Sequence, residues 1–123
     1  MILADSSVWI DHFRSGLPEL AHTLERGGVL MHSFVLGELA CGNLRQRSEI
    51  LALLGELPLV HEATHHEVMH MIEEHKLMGR GIGYVDAHLL AAVALTPGAA
   101  LWTRDTRLAS LARTLGLARS PNG

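Results

Sequence analysis

Short apolar runs alternate with helix-like segments along most of the chain. Runs of strand length fall at residues 2–5, 29–32, 58–61, 99–103 and 117–119. Parallel strands cannot be joined by a tight turn and need a longer crossover, usually a helix, so this alternation favours a parallel sheet. We therefore predict an α/β fold in which helices flank a central, mostly parallel sheet of about five strands.

Proline and glycine mark the ends of two of the predicted helices. Pro18 stands in the first turn of a segment that begins at Leu17, and Gly27 and Gly28 end it. Residues 106–115 form a second helical segment, with Gly116 just past its end. Both patterns are typical of helix boundaries.

Composition indicates one globular domain that spans residues 1–123. The chain has 123 residues and is 48% apolar, which is enough to form a core without disulfides. Cys41 is the only cysteine, so no disulfide can form within the chain. Asp5 interrupts the first apolar run too early for a signal peptide, and Leu89–Leu95 is too short to span a membrane. We expect a cytoplasmic protein with no membrane partner.

The formal net charge of −3 counts against a passive binder of nucleic acid with a broad basic face. It counts less against a metal-dependent nuclease, because bound divalent ions would supply a positive field at an acidic centre.

Four carboxylates lie where the predicted strands end or the next helices begin. Asp5 and Asp105 follow strands, Glu38 is one helical turn beyond the second strand, and Asp86 opens a helix after a glycine-rich loop. In parallel sheets the carboxyl ends of the strands meet at one edge, so we expect these acids to converge there. Clustered carboxylates are the oxygen ligands that Mg²⁺ and Mn²⁺ prefer.

Each acid also has a structural explanation. Asp5, Asp86 and Asp105 precede helical patterns, where an Asp cap stabilises a helix by about 1 kcal/mol. Glu38 would then belong to a narrow exposed stripe of its helix. If all four acids are structural, the chain is a non-catalytic α/β binding module.

Three segments resemble the PIN-domain ribonucleases, and most closely the VapC-type toxins of type II toxin–antitoxin pairs. They are residues 1–11 (MILADSSVWID), 81–92 (GIGYVDAHLLAA) and 102–105 (WTRD). The resemblance covers nearly the whole chain. It implies a Mg²⁺- or Mn²⁺-dependent endoribonuclease whose acidic quartet is Asp5, Glu38, Asp86 and Asp105, with supporting hydroxyls at Ser7 and Thr103.

The same resemblance implies the partners: an RNA substrate, a second copy of the chain in a homodimer, and a small VapB-like antitoxin. The antitoxin's C-terminal segment would block the acidic site. We also expect Arg104 and Arg107 to contact RNA phosphate. The chain departs from the family pattern at Ala4, where a bulkier residue is commoner, and in its His-rich segment 61–75.

That His-rich segment contains a competing motif, His66-Glu67-Val68-Met69-His70, which has the H-E-x-x-H spacing of zinc metalloproteases. The extended form of the motif needs Gly and His where Glu73 and Lys76 stand. A zinc hydrolase is therefore an alternative without an evident third ligand. We interpret His66 and His70 as residues of a solvated helix face.

Aromatic residues make up 4% of the chain, so we expect little base stacking on RNA. Trp9 and Trp102 are assigned to core or dimer contacts. His12, His22, His32 and His88 are assigned to structural or surface positions.

Overall fold

A three-stranded parallel sheet lies at the centre of the computed structural model, which describes residues 1–120. The strands are β1 (Ile2–Ala4), β2 (Val29–Leu30) and β3 (Ala100–Trp102), in the order β2-β1-β3. Both β2 and β3 pair with β1 in parallel. The predicted α/β fold with a parallel sheet is confirmed.

Helices connect and flank these strands. They are α1 (Ser6–Ser15), α2 (Pro18–Glu25), α3 (Ser33–Ala40), α4 (Arg47–Leu54), α5 (His65–His75), α6 (Tyr84–Leu95) and α7 (Thr106–Thr114). The proline start of α2 and the capped α7 agree with the sequence prediction. Within residues 1–120, no helix has the length and apolar character needed to cross a bilayer.

The sheet has fewer full strands than the predicted number of about five. Residues 58–61 and 117–119 each contribute one parallel bridge, Met31 to Leu59 and Leu101 to Ala118. The first of these segments contains Pro58, which has no N–H to donate, and its Leu59 is 61% exposed. The five chain segments therefore lie side by side as predicted, but the outer two pair too briefly to count as strands.

Helix α6 is the most buried of the helices, because every residue from Ala87 to Val93 is buried. It packs against β3 on one side and α5 on the other. A helix covered on both sides has no polar stripe, which explains its continuous apolar sequence. Asp86 is partly buried and stands in the first turn of this helix, immediately before the buried run.

Candidate active site

Asp5 follows β1 directly and caps α1. Its Oδ1 accepts a hydrogen bond from the backbone N–H of Val8 at 3.2 Å. The residue is 7% exposed, and its own N–H donates to the carbonyl of Trp102 in β3 at 3.0 Å. The carboxylate is therefore fixed where β1 and β3 both end.

Two hydroxyls donate to this carboxylate, one to each oxygen. Ser7 Oγ donates to Asp5 Oδ1 at 2.5 Å, and Thr103 Oγ1 donates to Asp5 Oδ2. Each hydroxyl also accepts a backbone hydrogen bond, Ser7 from the N–H of Arg104 at 2.9 Å and Thr103 from the N–H of Asp105 at 3.0 Å. The loop after β3 thus orients both hydroxyls toward Asp5.

Glu38 reaches this centre from α3. Its Oε1 accepts a hydrogen bond from Ser6 Oγ at 2.5 Å, and Ser6 is the residue next to Asp5. Glu38 is exposed, although several of its neighbours in the sequence are apolar. The buried side of α3 carries Val35 and Leu39, and Glu38 lies outside it.

Asp86 is the acid on which the charges of the other three act. Burial raises the pKa of its carboxyl, and the charges of Asp105, Asp5 and Glu38 raise it further, against a lowering by the hydrogen bond from the Gly83 N–H at 3.2 Å. Three other carboxylates therefore lie close enough to influence this one group. The effect of these three charges on Asp86 agrees with the convergence expected at the carboxyl edge of a parallel sheet.

Asp105 caps α7, with Oδ1 accepting from the N–H groups of Arg107 and Leu108 at 2.9 and 3.0 Å. The structural explanation for Asp5 and Asp105 as helix caps is therefore also correct. A cap uses a single carboxylate oxygen here, so capping and membership of an acidic centre are compatible. Asp86 accepts a hydrogen bond from the N–H of Gly83, the residue before α6, while Glu38 caps no helix.

Each of the four carboxylates accepts a hydrogen bond from a nearby hydroxyl or N–H group. In this arrangement, residues 1–120 contain no group of three or more His, Cys, Asp or Glu side chains placed to hold a metal ion. The chemistry of the donors nevertheless fits Mg²⁺ or Mn²⁺. All four are carboxylates, and none forms an ion pair within the described part of the chain. Glu38 and Asp105 are exposed, so both side chains have room to reorient.

The two arginines predicted to contact phosphate have different surroundings. Arg104 Nε is paired with Asp11 Oδ2 at 2.9 Å. Arg107 has no ion pair among residues 1–120, and its side chain lies against Gly81, where a Cβ would stand 2.5 Å from Arg107 Cδ. Arg107 therefore lies between the cap at Asp105 and the loop that leads to Asp86. Sequence analysis did not identify this role of Gly81.

The H-E-x-x-H segment lies elsewhere, on the exposed face of α5. Glu67, which would be the general base of a zinc hydrolase, instead forms a capping box with Thr64: its Oε1 accepts from the Thr64 N–H at 2.9 Å, and its own N–H donates to Thr64 Oγ1 at 3.1 Å. His70 is paired with Glu74 at 3.0 Å. The motif is explained by the start of a helix and by a solvated histidine face.

Sequence analysis also missed a cluster of rings that includes Phe34, one helical turn before Glu38. His88 is buried and packs against both Phe34 and Tyr84. The available signal was spacing: Phe34 precedes Glu38 by one helical turn, and Tyr84 precedes His88 by one turn.

Comparison with known proteins shows the family to which this chain belongs. The PIN domain family matches residues 2–114. The chain is 44% identical over 118 residues to Ribonuclease VapC32 of Mycobacterium tuberculosis, in both the CDC 1551 / Oshkosh and the H37Rv strains, and the match covers 96% of this chain and 95% of each relative. The chain therefore belongs to the PIN domain family and, within it, to the VapC type.

Proposed function

We propose that this protein is the toxin of a type II toxin–antitoxin pair, an endoribonuclease that hydrolyses RNA phosphodiester bonds with Mg²⁺ or Mn²⁺. Its membership of the VapC type supports an RNA-hydrolysing nuclease. The observation that carries the proposal is the arrangement of Asp5 and Asp86: Asp5 is a buried carboxylate with a hydroxyl on each oxygen, and its charge acts together with those of Glu38 and Asp105 on Asp86.

Asp5, Glu38, Asp86 and Asp105 would hold the metal. A bound divalent ion lowers the pKa of a bound water and stabilises negative charge on a phosphodiester. Ser7 and Thr103 orient Asp5, because each donates to one of its oxygens and is itself fixed by a backbone N–H. Fixing the side chain in this way reduces the reorganisation needed for binding.

Arg107 is the stronger of the two candidates for phosphate contact. It is exposed, and within residues 1–120 it has no acidic partner, whereas Arg104 would have to leave Asp11. A guanidinium at this position would offset repulsion between the acids and an incoming phosphate.

Regulation would come from a cognate VapB-like antitoxin whose C-terminal segment covers the acidic site, in a cytoplasmic complex of a toxin homodimer. The similarity of the chain to a VapC ribonuclease supports this class of partner. We expect the antitoxin encoded beside this chain to copurify with it and to suppress its cleavage of RNA.

The direct experiment incubates purified, antitoxin-free protein with total cellular RNA and Mg²⁺ or Mn²⁺. We expect discrete fragments that disappear with EDTA. Asp5→Asn keeps an oxygen that can cap α1, so it should fold normally but lose at least about 100-fold in cleavage rate, since even partners of metal ligands contribute about 10- to 100-fold. Intact RNA with folded wild-type protein would favour the non-catalytic binding module.

A further inference from the structure

Three rings form a compact cluster at the beginnings of α3 and α6. The imidazole of His88 is 5% exposed and contacts both neighbouring rings edge-on, with centroid distances of 4.8 Å to Phe34 and 4.6 Å to Tyr84. The buried His88 ring thus contacts both of the more exposed aromatic rings. Phe34, Tyr84 and His88 are called the aromatic platform below.

The two outer rings remain accessible although they are held in place. Phe34 is 40% and Tyr84 is 44% exposed. Tyr84 Oη is hydrogen-bonded to His65 Nδ1 at 2.5 Å, and the Phe34 ring packs against His32 at 5.0 Å. Fixed and exposed aromatic rings lose little conformational entropy when a flat ligand stacks on them.

Phe34 connects the aromatic platform to one of the four acids, Glu38. Phe34 and Glu38 are four residues apart in α3 and therefore lie on the same helix face. Phe34 also contacts His88, which shares one face of α6 with Tyr84, whereas Asp86 lies two residues from each of them on another face of that helix. The charge of Glu38, in turn, acts on Asp86. An RNA strand whose phosphate approached the acids would bring an adjoining base to these rings.

We propose that Phe34 and Tyr84, supported by His88, stack on a nucleobase of single-stranded RNA that adjoins the cleaved phosphodiester; this rests on the ribonuclease function proposed above. A base is flat and uncharged, so it can approach four carboxylates without the repulsion that a phosphate meets. Every base has a stacking face, so the contact positions the strand without selecting one sequence.

The size of the surface favours a base over a protein. Two partly exposed rings offer an area suited to one base, whereas a stable protein interface covers about 800 Å² on each partner. The position beside exposed carboxylates is also unsuited to the apolar core of an interface.

Fluorescence of a short single-stranded RNA that carries 2-aminopurine tests the proposal, because stacking quenches this base. The protein is the Asp5→Asn variant with Mg²⁺, so that the RNA stays intact. Phe34→Leu and Tyr84→Leu should each weaken binding by about 5- to 100-fold and reduce quenching. Tyr84→Phe retains the ring and should bind and quench normally. Leu53→Ala removes exposed apolar surface from α4 and serves as the matched control.

Unchanged affinity and quenching in both leucine variants, with wild-type protein that cleaves RNA, would overturn the aromatic platform and leave the ribonuclease function in place. Loss of dimerisation in these variants with unchanged RNA affinity would also overturn it, because the face would then belong to a protein interface. If wild-type protein cleaves no RNA, the proposed function fails and this proposal fails with it. Circular dichroism of each variant verifies the fold.

Discussion

At the scale of single residues, Gly81 controls where Arg107 can lie. Its φ is +83°, a conformation that L side chains rarely adopt, and a Cβ there would also meet Arg107 Nη1 at 2.9 Å. Only glycine permits both the backbone turn and the close approach of the guanidinium. The position of the cation beside the acids therefore depends on a residue that carries no chemistry.

Gly81→Ala should displace Arg107 and weaken binding of RNA, with a rise in KM larger than the fall in kcat. Gly79→Ala is the matched control, because Gly79 also has a positive φ, of +68°, but a Cβ added there would meet nothing within 4 Å. Each substitution should destabilise the fold by about 1–3 kcal/mol through backbone strain. Equal KM values in the two variants, measured by steady-state cleavage of an RNA substrate, would show that the Arg107 contact is irrelevant.

At the scale of secondary-structure elements, α6 combines a buried helix with a charge at its beginning. Asp86 is desolvated and repelled by three carboxylates, so its pKa lies above the ordinary value. A carboxyl with a raised folded pKa destabilises the native state above that pKa, and the penalty is relieved as the pH falls toward the unfolded value of 3.8. Without metal, the ionised Asp86 at the start of α6 therefore lowers the stability of the native state.

Asp86→Asn should raise the Tm of the metal-free protein by a few degrees, because it removes that penalty while an amide oxygen can still accept from the Gly83 N–H. The same substitution should abolish RNA cleavage. Differential scanning fluorimetry in EDTA measures the first effect. Asp11→Asn is the control for loss of one exposed carboxylate. A lower Tm for Asp86→Asn would mean that the carboxylate stabilises the apo fold.

Sequence patterns predicted helices better than strands. The boundaries of α2 and α7 follow from proline, glycine and capping residues, whose effects are local. The outer segments 58–61 and 117–119 looked like strands because they are apolar, but pairing depends on a neighbouring segment that the local pattern does not contain. The sequence left open whether Glu38 is exposed, because that depends on how α3 packs.

At the scale of the whole molecule, the parallel order β2-β1-β3 brings acids that are far apart in sequence to one edge. The expectation of a parallel sheet was enough to predict this convergence. The hydrogen bonds between Thr103 and Asp5, or the packing of Arg107 on Gly81, join residues that no local pattern connects. They require the three-dimensional structure, as does the cluster of rings around His88.

The stability of the whole molecule should depend on pH through two buried histidines. Burial lowers the pKa of His32 and the pKa of His88, which are 1% and 5% exposed. The native state keeps both neutral while the unfolded chain takes up protons near the ordinary value of 6.5. Stability is therefore complete above that value and is lost as the pH falls through it toward the lowered pKa values of the folded state.

Urea denaturation between about pH 7 and about pH 5, around the ordinary pKa of histidine, should show this loss. His32→Asn removes one titrating group and retains a side-chain acceptor for the Phe34 N–H, which His32 Nδ1 provides at 2.9 Å. Its pH dependence should be distinctly shallower than that of the wild type, whatever its absolute stability. If the unfolding free energies of His32→Asn and of the wild type depended on pH in the same way, the loss of stability could not be assigned to His32.

The central claim is that four carboxylates form one metal centre, and calorimetric titration with Mn²⁺ tests it most directly. Wild-type protein and Asp11→Asn should bind Mn²⁺ alike, because Asp11 is paired with Arg104 outside the quartet. Asp5→Asn, Glu38→Gln, Asp86→Asn and Asp105→Asn should each weaken binding by about 10-fold or more. Wild-type protein that binds no Mn²⁺, or quartet variants that bind it as tightly as wild type, would contradict the account.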